Sequence, residues 1–366
     1  MPVSGKVSWK LKVVLLTNEA VILTYDKTTT VEEIHHEICD ILELTEREMF
    51  GIAVLSTEGF LFLDPSEKLK KIDFDYLSLS TSFGKLGRKV VPKFRRRAQT
   101  TFFGPTPPDV ALQSYRTVYF RVRFYIPIHC LRERDTQHLY YEQLRTNLLE
   151  YGLYCDLSTY LELAALALQA EYGNAPTDCM DGAEGSQPVP VYFDPEGIYP
   201  YQMLQEYSKE ELLRMTFRRH MALQDMPRRS AEFHFIRLGS KHTSNFNKHL
   251  YKLAPMSQSN FTVWLGVSPD GIELHQQLKN GWISPTSLIL WRDIYCLSQK
   301  DRAFIVHLYA RKTVRKFQFE HGLSSKHMFA LVSHMHFFQL RAELSAPYSA
   351  GLLEHIERGY YEERYL

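Results

Sequence analysis

The sequence is short of the features that would place it quickly. Its 366 residues hold five cysteines, Cys39, Cys130, Cys155, Cys179 and Cys296, an odd number, widely spaced and without a CxxC pair. That spacing argues against a disulfide framework and a structural zinc site, and predicts reduced thiols in the cytosol. No apolar run approaches the ~18 residues that a spanning helix needs, and the amino terminus has no signal-peptide apolar core. The expectation is a cytoplasmic chain, at most peripheral to a membrane. Net charge is nearly absent too: 43 Lys and Arg against 42 Asp and Glu leave +1. No global field draws the chain to nucleic acid or to a membrane, so affinity for anions has to come from local clusters.

Catalytic motifs are equally scarce. No GxxxxGK[ST] loop, HExxH, GxSxG elbow or dinucleotide GxGxxG stands in a strand-to-helix context, and GKLGRK is too short and lacks the Ser or Thr. His35 and His36 are adjacent and point to different helix faces, while His334 and His336 at i, i+2 cannot share a metal on one helix. No catalytic residue, metal ligand or cofactor is assigned, and a non-catalytic protein is expected.

What the chain does have is apolar mass, 45% of residues, and length for two or three domains. Its organising stretch is Val118 to Gly173. VYFRVRFYIP alternates Val118, Phe120, Val122 and Phe124 with Arg121 and Arg123, which predicts a half-buried strand stopped by Pro127. Two helices follow, one closed by Gly152 and the other by Gly173 and Pro176. The first has a stripe of Leu139, Tyr140, Leu144, Leu148 and Tyr151, with Arg145 and Glu150 expected to face out. The second, LSTYLELAALALQAEY, is apolar nearly all round and belongs in the middle of a bundle.

Upstream, Trp9 to Leu15 and AVILTY read as a hairpin, and Thr30 with Glu33 as a capping box opening a helix. Two short strands, Met49–Leu55 and Phe60–Leu63, complete the ββαββ order of a ubiquitin-like fold. Between 73 and 117 about forty-five residues intervene, including KLGRKVVPKFRRR, a run expected to be either a solvated loop or a contact for anionic lipid. Only Phe94 interrupts its charges, too little for base stacking, and no nucleic-acid partner is expected. Downstream of Gly173 an irregular acidic segment leads to a helix capped by Ser208 and Glu211, and to a last helix from Pro227 or Ser230. Then come five alternating runs, Phe261–Val267, Gly271–His275, Ser287–Leu297, Ala303–Leu308 and Val314–Phe319, and one closing helix. Strands first and a single helix last is the order of a pleckstrin-homology or PTB-type barrel. In that helix Met328, Leu331, Val332, Met335 and Phe338 form the stripe facing the barrel, while Phe329, Ser333 and His336 form a second stripe turned away from it.

Several phrases have a family likeness. LALQAEYGN, MFGIAVL, FLFLDPSEKLKKI, WLGVSPDGI, LWRDI and HMHFFQLRAEL resemble, in wording and in order from Lys10 to Leu344, the FERM domain of band 4.1 and ezrin, radixin and moesin-type proteins. Within it the wording is nearest the Expanded/Willin group, or the FERM lobes of FERM-containing tyrosine phosphatases and FERM-PDZ proteins. SAEFHFIRLGSKH keeps only the first part of the family's phrase there, and the 73–117 insertion is longer than the family's usual crossing.

The resemblance implies an α+β, three-lobed cloverleaf. Its parts would be a ubiquitin-like lobe at 8–127 with the basic insertion 73–117, an acyl-CoA-binding-protein-like helical lobe at 128–244, a PH/PTB-like barrel with C-terminal helix at 245–345, and a tail at 346–366. It also implies a scaffold or adaptor at the cell cortex, peripheral to the plasma membrane, that takes cytoplasmic tails of membrane or junctional proteins. In the family a partner peptide adds to the exposed edge beside the closing helix. Here that edge would be Tyr295, Cys296, Leu297 and Ser298, with Phe329, Ser333 and His336 as its wall. Anionic phospholipid is a further implied partner. Lys326 matches the family's third-lobe headgroup position, but Phe62 and Pro65 stand where first-lobe lysines would be. Lys68, Lys70, Lys71, Lys85, Arg88, Lys89, Lys93, Arg95, Arg96 and Arg97 could act as diffuse phosphate contacts instead. Two alternatives stay open: a phosphoinositide- or anionic-lipid-binding targeting module, and the autoregulatory FERM module of a larger enzyme.

Overall fold

The computed structural model describes residues 8–74, 115–126, 128–176, 191–241, 246–255 and 261–344. The basic run from Lys85 to Arg97, most of the acidic segment after Gly173, and the tail from 346 lie outside the described residues. The first lobe begins with the hairpin β1 (Trp9–Val14) and β2 (Ala20–Tyr25), turned by Asn18 at φ 63°. Helix α1 (Val31–Ile41) starts on the expected capping box, with both the Thr30 and Glu33 side chains bonded to backbone amides, and buries Val31, Ile34, Ile38 and Cys39. Strands β3 (Phe50–Ser56), β4 (Gly59–Phe62) and β5 (Arg116–Val122) complete a sheet of order β2-β1-β5-β3-β4, in which β1 and β5 run parallel. That is the topology of a ubiquitin-like sheet.

Strand β5 departs from its expected environment. Val118, Phe120 and Val122 are fully buried, but so are Arg121 and Arg123, at 8% and 9% exposure. The polar face of the strand is covered by the neighbouring β4 and by the closing helix of the third lobe rather than by water. The Arg121 guanidinium lies 4.3 Å from the Phe60 ring centroid, and Arg123 Nη2 is 2.7 Å from His334 Nδ1 on the closing helix.

The helical lobe contains α2 (Arg134–Tyr151), α3 (Leu157–Tyr172), α4 (Tyr201–Glu206), α5 (Lys209–Met221) and α6 (Arg228–Gly239). Gly152 closes α2 in the left-handed region at φ 59°, and α3 runs through the middle with every residue from Leu163 to Ala170 buried. Arg145 is a correction. It does not face out: it is 6% exposed, its Nε donates to Glu171 Oε1 at 3.2 Å, and its Nη2 donates to the Gly197 carbonyl at 2.7 Å.

Among the described residues the third lobe has seven strands rather than five. β6 (His249–Lys252), β7 (Val263–Ser268), β8 (Gly271–Gln277) and β9 (Ile283–Leu290) form one antiparallel sheet; β10 (Ile294–Lys300), β11 (Ala303–Leu308) and β12 (Val314–Gln318) form the other. The run read as one strand, Ser287 to Leu297, is two, because the 3-10 turn Trp291–Asp293 carries the chain round the corner between the sheets. Helix α7 (Gly322–Leu344) closes the barrel with Met328, Leu331, Val332 and Met335 buried. Phe338 falls among helix residues whose side chains are not described.

The lobes share one continuous apolar cluster. Backbone bonds also stitch them: Ile283 donates to the Gly152 carbonyl and Tyr154 to that of Ile283, at 2.8 and 2.9 Å. Between the first and third lobes, the Lys252 amide donates to the Glu58 carbonyl at 2.9 Å, the Glu320 amide to Glu58 Oε1 at 2.7 Å, and His327 Nδ1 to the Phe62 carbonyl at 2.9 Å. The turn that reaches across needs Gly59, at φ 135°, because a Cβ there would sit 2.6 Å from the Leu250 carbonyl oxygen.

Candidate functional site

An edge strand offers unpaired backbone groups, and what blocks or leaves open each edge decides where a partner strand can add. In the third lobe β6 is covered by the Glu58–Gly59 turn of the first lobe. β9 carries Pro285, which has no amide to offer, beside a register shift at Leu274 and His275. β12 presents exposed Arg315 and Lys316. Among the described residues β10 pairs with β11 alone, and its stretch Tyr295–Cys296–Leu297–Ser298 contains neither proline nor charge.

The register sorts the side chains of β10. Val306 and Phe304 of β11 point into the core, so their partners Leu297 and Gln299 face α7. A bulge between Ile294 and Cys296 then leaves Tyr295, Cys296 and Ser298 on the opposite face, where Ser298 Oγ is 3.0 Å from His307 Nε2. Thus Tyr295, Cys296 and Ser298 can contribute backbone to a groove beside α7, but their side chains lie on the other face.

The helix supplies the wall. Phe329, Ser333 and His336 are all partly exposed, with Phe329 packed in part on the core. The ends of the groove are fixed by two side-chain contacts, whose partners Trp291, Gln299 and Ser325 no sequence pattern marked. His336 stacks on Trp291, centroids 5.9 Å apart at 22°, and Gln299 Nε2 donates to Ser325 Oγ at 3.0 Å. Trp291 is anchored in turn through its indole N–H to the Pro269 carbonyl at 2.8 Å. Helix and strand therefore run antiparallel, and the eleven helical steps from Ser325 to His336 span about 16 Å at ~1.5 Å each.

Lys68, Lys70 and Lys71 are exposed around the 3-10 turn Leu69–Lys71, with the Lys70 ammonium 5.9 Å from the Trp9 ring centroid. Lys326 is exposed on α7 next to His327, whose ring holds the carbonyl of Phe62, itself 3% exposed. Lys85, Arg88, Lys89, Lys93, Arg95, Arg96 and Arg97 lie outside the described residues. Among the described residues, no group of three or more His, Cys, Asp or Glu could hold a metal ion, and no helix is long and apolar enough to cross a membrane.

Known proteins share both sequence and fold with the chain. It is 26% identical to human tyrosine-protein phosphatase non-receptor type 13 over 91% of its own length and 12% of that protein's. It is 25% identical to mouse FERM and PDZ domain-containing protein 2, over 92% of this chain and 22% of that one. With Drosophila melanogaster protein expanded the identity is 24%, over 76% and 22% respectively. The chain thus spans between about an eighth and a quarter of these relatives' lengths. Among solved structures, the FERM and C-terminal domain complex of Drosophila Merlin superposes with TM-score 0.64 at 15% identity, over 92% of this chain and 98% of that one. The C-terminal MyTH4-FERM domain of human myosin 7b, solved with a harmonin-a PDZ3 domain, gives 0.59 at 14%, over 91% and 60%. Residues 13–74 match the FERM N-terminal domain, 114–251 the FERM central domain, and 257–346 the FERM C-terminal PH-like domain. With all three component domains matched in order, and a ubiquitin-like sheet, a helical bundle and a closed barrel in the same places, the chain belongs to the FERM family, whose domain is a protein-interaction module.

Proposed function

We propose that this chain is a non-catalytic scaffold, peripheral to the plasma membrane at the cell cortex, that captures cytoplasmic tails of membrane or junctional proteins in the groove between β10 and α7. One observation carries the reading: the uncharged, proline-free edge Tyr295–Ser298, which takes no second strand partner among the described residues, runs beside a helix with Phe329 and Ser333 partly exposed. An extended tail adding to β10 gains backbone hydrogen bonds that cost no sequence specificity, and alternate side chains reach the helix. The ~16 Å between the Gln299–Ser325 and Trp291–His336 contacts fits about five extended residues at ~3.3 Å each. Phe329 would accept an apolar side chain of the tail, and Ser333 a polar one.

Lobe limits of 8–127, 128–244 and 245–345 with a tail from 346 belong to the same proposal. So do Lys68, Lys70, Lys71 and Lys326, with the basic run Lys85 to Arg97, as phosphate contacts that hold the scaffold near anionic lipid.

The test is a pull-down of a panel of membrane-protein cytoplasmic tails by the wild type and by Phe329→Glu with His336→Glu. Both positions are partly exposed, and because Phe329 packs in part on the core the fold of the variant is checked alongside. The expected result is loss of most captured tails, with unchanged far-UV circular dichroism. An unchanged captured set assigns the binding to another surface and overturns the reading.

A further inference from the structure

The β10-β11-β12 sheet has a second face, turned away from α7, that the peptide groove leaves unused. Register places Phe304, Val306 and Phe317 in the core, so Ile305, His307, Val314 and Lys316 point outward, joined there by Tyr295. At one end of this face large apolar groups are left in water. Tyr309 is 68% exposed, Val314 53% and Tyr295 49%, and the rings of Tyr295 and Tyr309 lie 5.5 Å apart. A soluble face has no reason to gather such groups unless something covers them.

Charge says what that cover is. None of the three strands carries an Asp or Glu, whereas Lys300 and Lys316 are exposed on this face and Lys312 in the turn between β11 and β12; Arg315, opposite Val306, belongs to the other face. Asp293 and Asp301 stand only at the two ends of β10. We propose that this outer face, led by the Tyr309–Thr313 turn, docks on an anionic lipid surface. Tyrosine places an apolar ring at the interface and its hydroxyl in the headgroup layer, while lysine lays its stem along the apolar boundary and carries its charge to phosphate. Backbone groups in the middle of a paired sheet are already bonded, so an extended peptide laid across this face gains none of the hydrogen bonds that an edge offers. A leaflet needs no such pairing, only apolar insertion and opposite charge.

The site differs from the basic clusters already named, and it stands whether or not the groove takes a tail. If both hold, they meet at β10: its backbone edge faces the groove, its Tyr295 ring the lipid, and a captured tail lies at the leaflet it emerged from.

An environment-sensitive fluorescent residue incorporated at Thr313 in the full chain reports this face alone, whichever part of the molecule dominates total vesicle affinity. Phosphatidylcholine vesicles with phosphatidylserine are expected to blue-shift its emission, and phosphatidylcholine alone to leave it unchanged. Sedimentation then adds the chemistry: Lys312→Gln with Lys316→Gln is expected to remove the blue shift and to weaken this contact roughly 25-fold, about fivefold per cation. Tyr309→Ser with Val314→Ser is expected to weaken it as well. All four positions are exposed, so the folded state survives. Vesicle binding without a shift at 313 places the membrane contact elsewhere and overturns the proposal. So does an equal shift with phosphatidylcholine alone, no vesicle binding at all, or a shift produced by an acidic peptide and not by vesicles.

Discussion

His249 holds the first lobe to the third from inside the seam. It is 4% exposed, its Nε2–H donates to the Arg123 carbonyl at 3.0 Å, and its ring packs on Tyr125 and Phe62. Burial pushes its imidazole down to about 4; the bond to the Arg123 carbonyl acts the other way, and the Arg123 cation adds to the depression. An unfolded histidine titrates near 6.5, so below that pH the unfolded chain takes up a proton that the folded one refuses. The contribution is complete above about pH 6.5 and is lost as pH falls towards 4. Between pH 7 and pH 5 the wild type is expected to lose about 2 kcal/mol more stability than His249→Gln, which has no proton to bind. Urea midpoints of both proteins at the two pH values check it, and equal losses would remove His249 from the account.

The same scale shows where reading from sequence stops. Arg121, Arg123 and Arg145 occupy the polar positions of well-marked alternations, and polarity alone reads as solvent. Each is instead covered by a neighbouring element: Arg121 by Phe60, Arg123 by α7, Arg145 by Glu171 and the Gly197 carbonyl. The period of a strand or helix says which side chains share a face, but not whether water or another lobe lies against it.

At the scale of elements, local chemistry was legible wherever it carried a geometric demand. The capping boxes at Thr30 and Ser208, the left-handed Gly152 and the mostly apolar α3 all stand where their residue types require. The corner at Trp291–Asp293 was not legible, because a 3-10 turn without glycine or proline leaves the alternation of its flanking strands nearly continuous. β6 was hidden for a related reason, being four residues long beside segments of weak pattern. The edge of β10 was named from sequence only through the family resemblance, and the sorting of its side chains needed the bulge at Ile294 and Cys296.

Arg145 carries a prediction at this scale, because it pins α2 to α3 and to the 195–197 turn together. Tyr141 also donates to Glu171, at 3.0 Å, so removing the arginine leaves a half-satisfied carboxylate and an orphaned carbonyl. Arg145→Leu is expected to cost about 2–3 kcal/mol, less than a fully buried pair would because Glu171 keeps 20% of its side-chain surface exposed. Thermal unfolding measures the loss, and an unchanged midpoint would mean that the helical lobe does not depend on this tie.

As a whole, the molecule is a rigid platform. A single apolar cluster runs through all three lobes, and among the described residues the seams are closed by backbone groups, bonded to other backbone or to side chains such as His327, Glu46 and Glu133. Such a body holds β10 and α7 at fixed separation, which is what strand capture needs: a partner pays for its own ordering and not for that of the groove. Amide hydrogen exchange of the wild type with and without any captured tail tests this most directly. Slower exchange confined to Ile294–Lys300 and to the Ser325–His336 face of α7 is the predicted result. Protection in the helical lobe or along β2, with β10 unchanged, would contradict it.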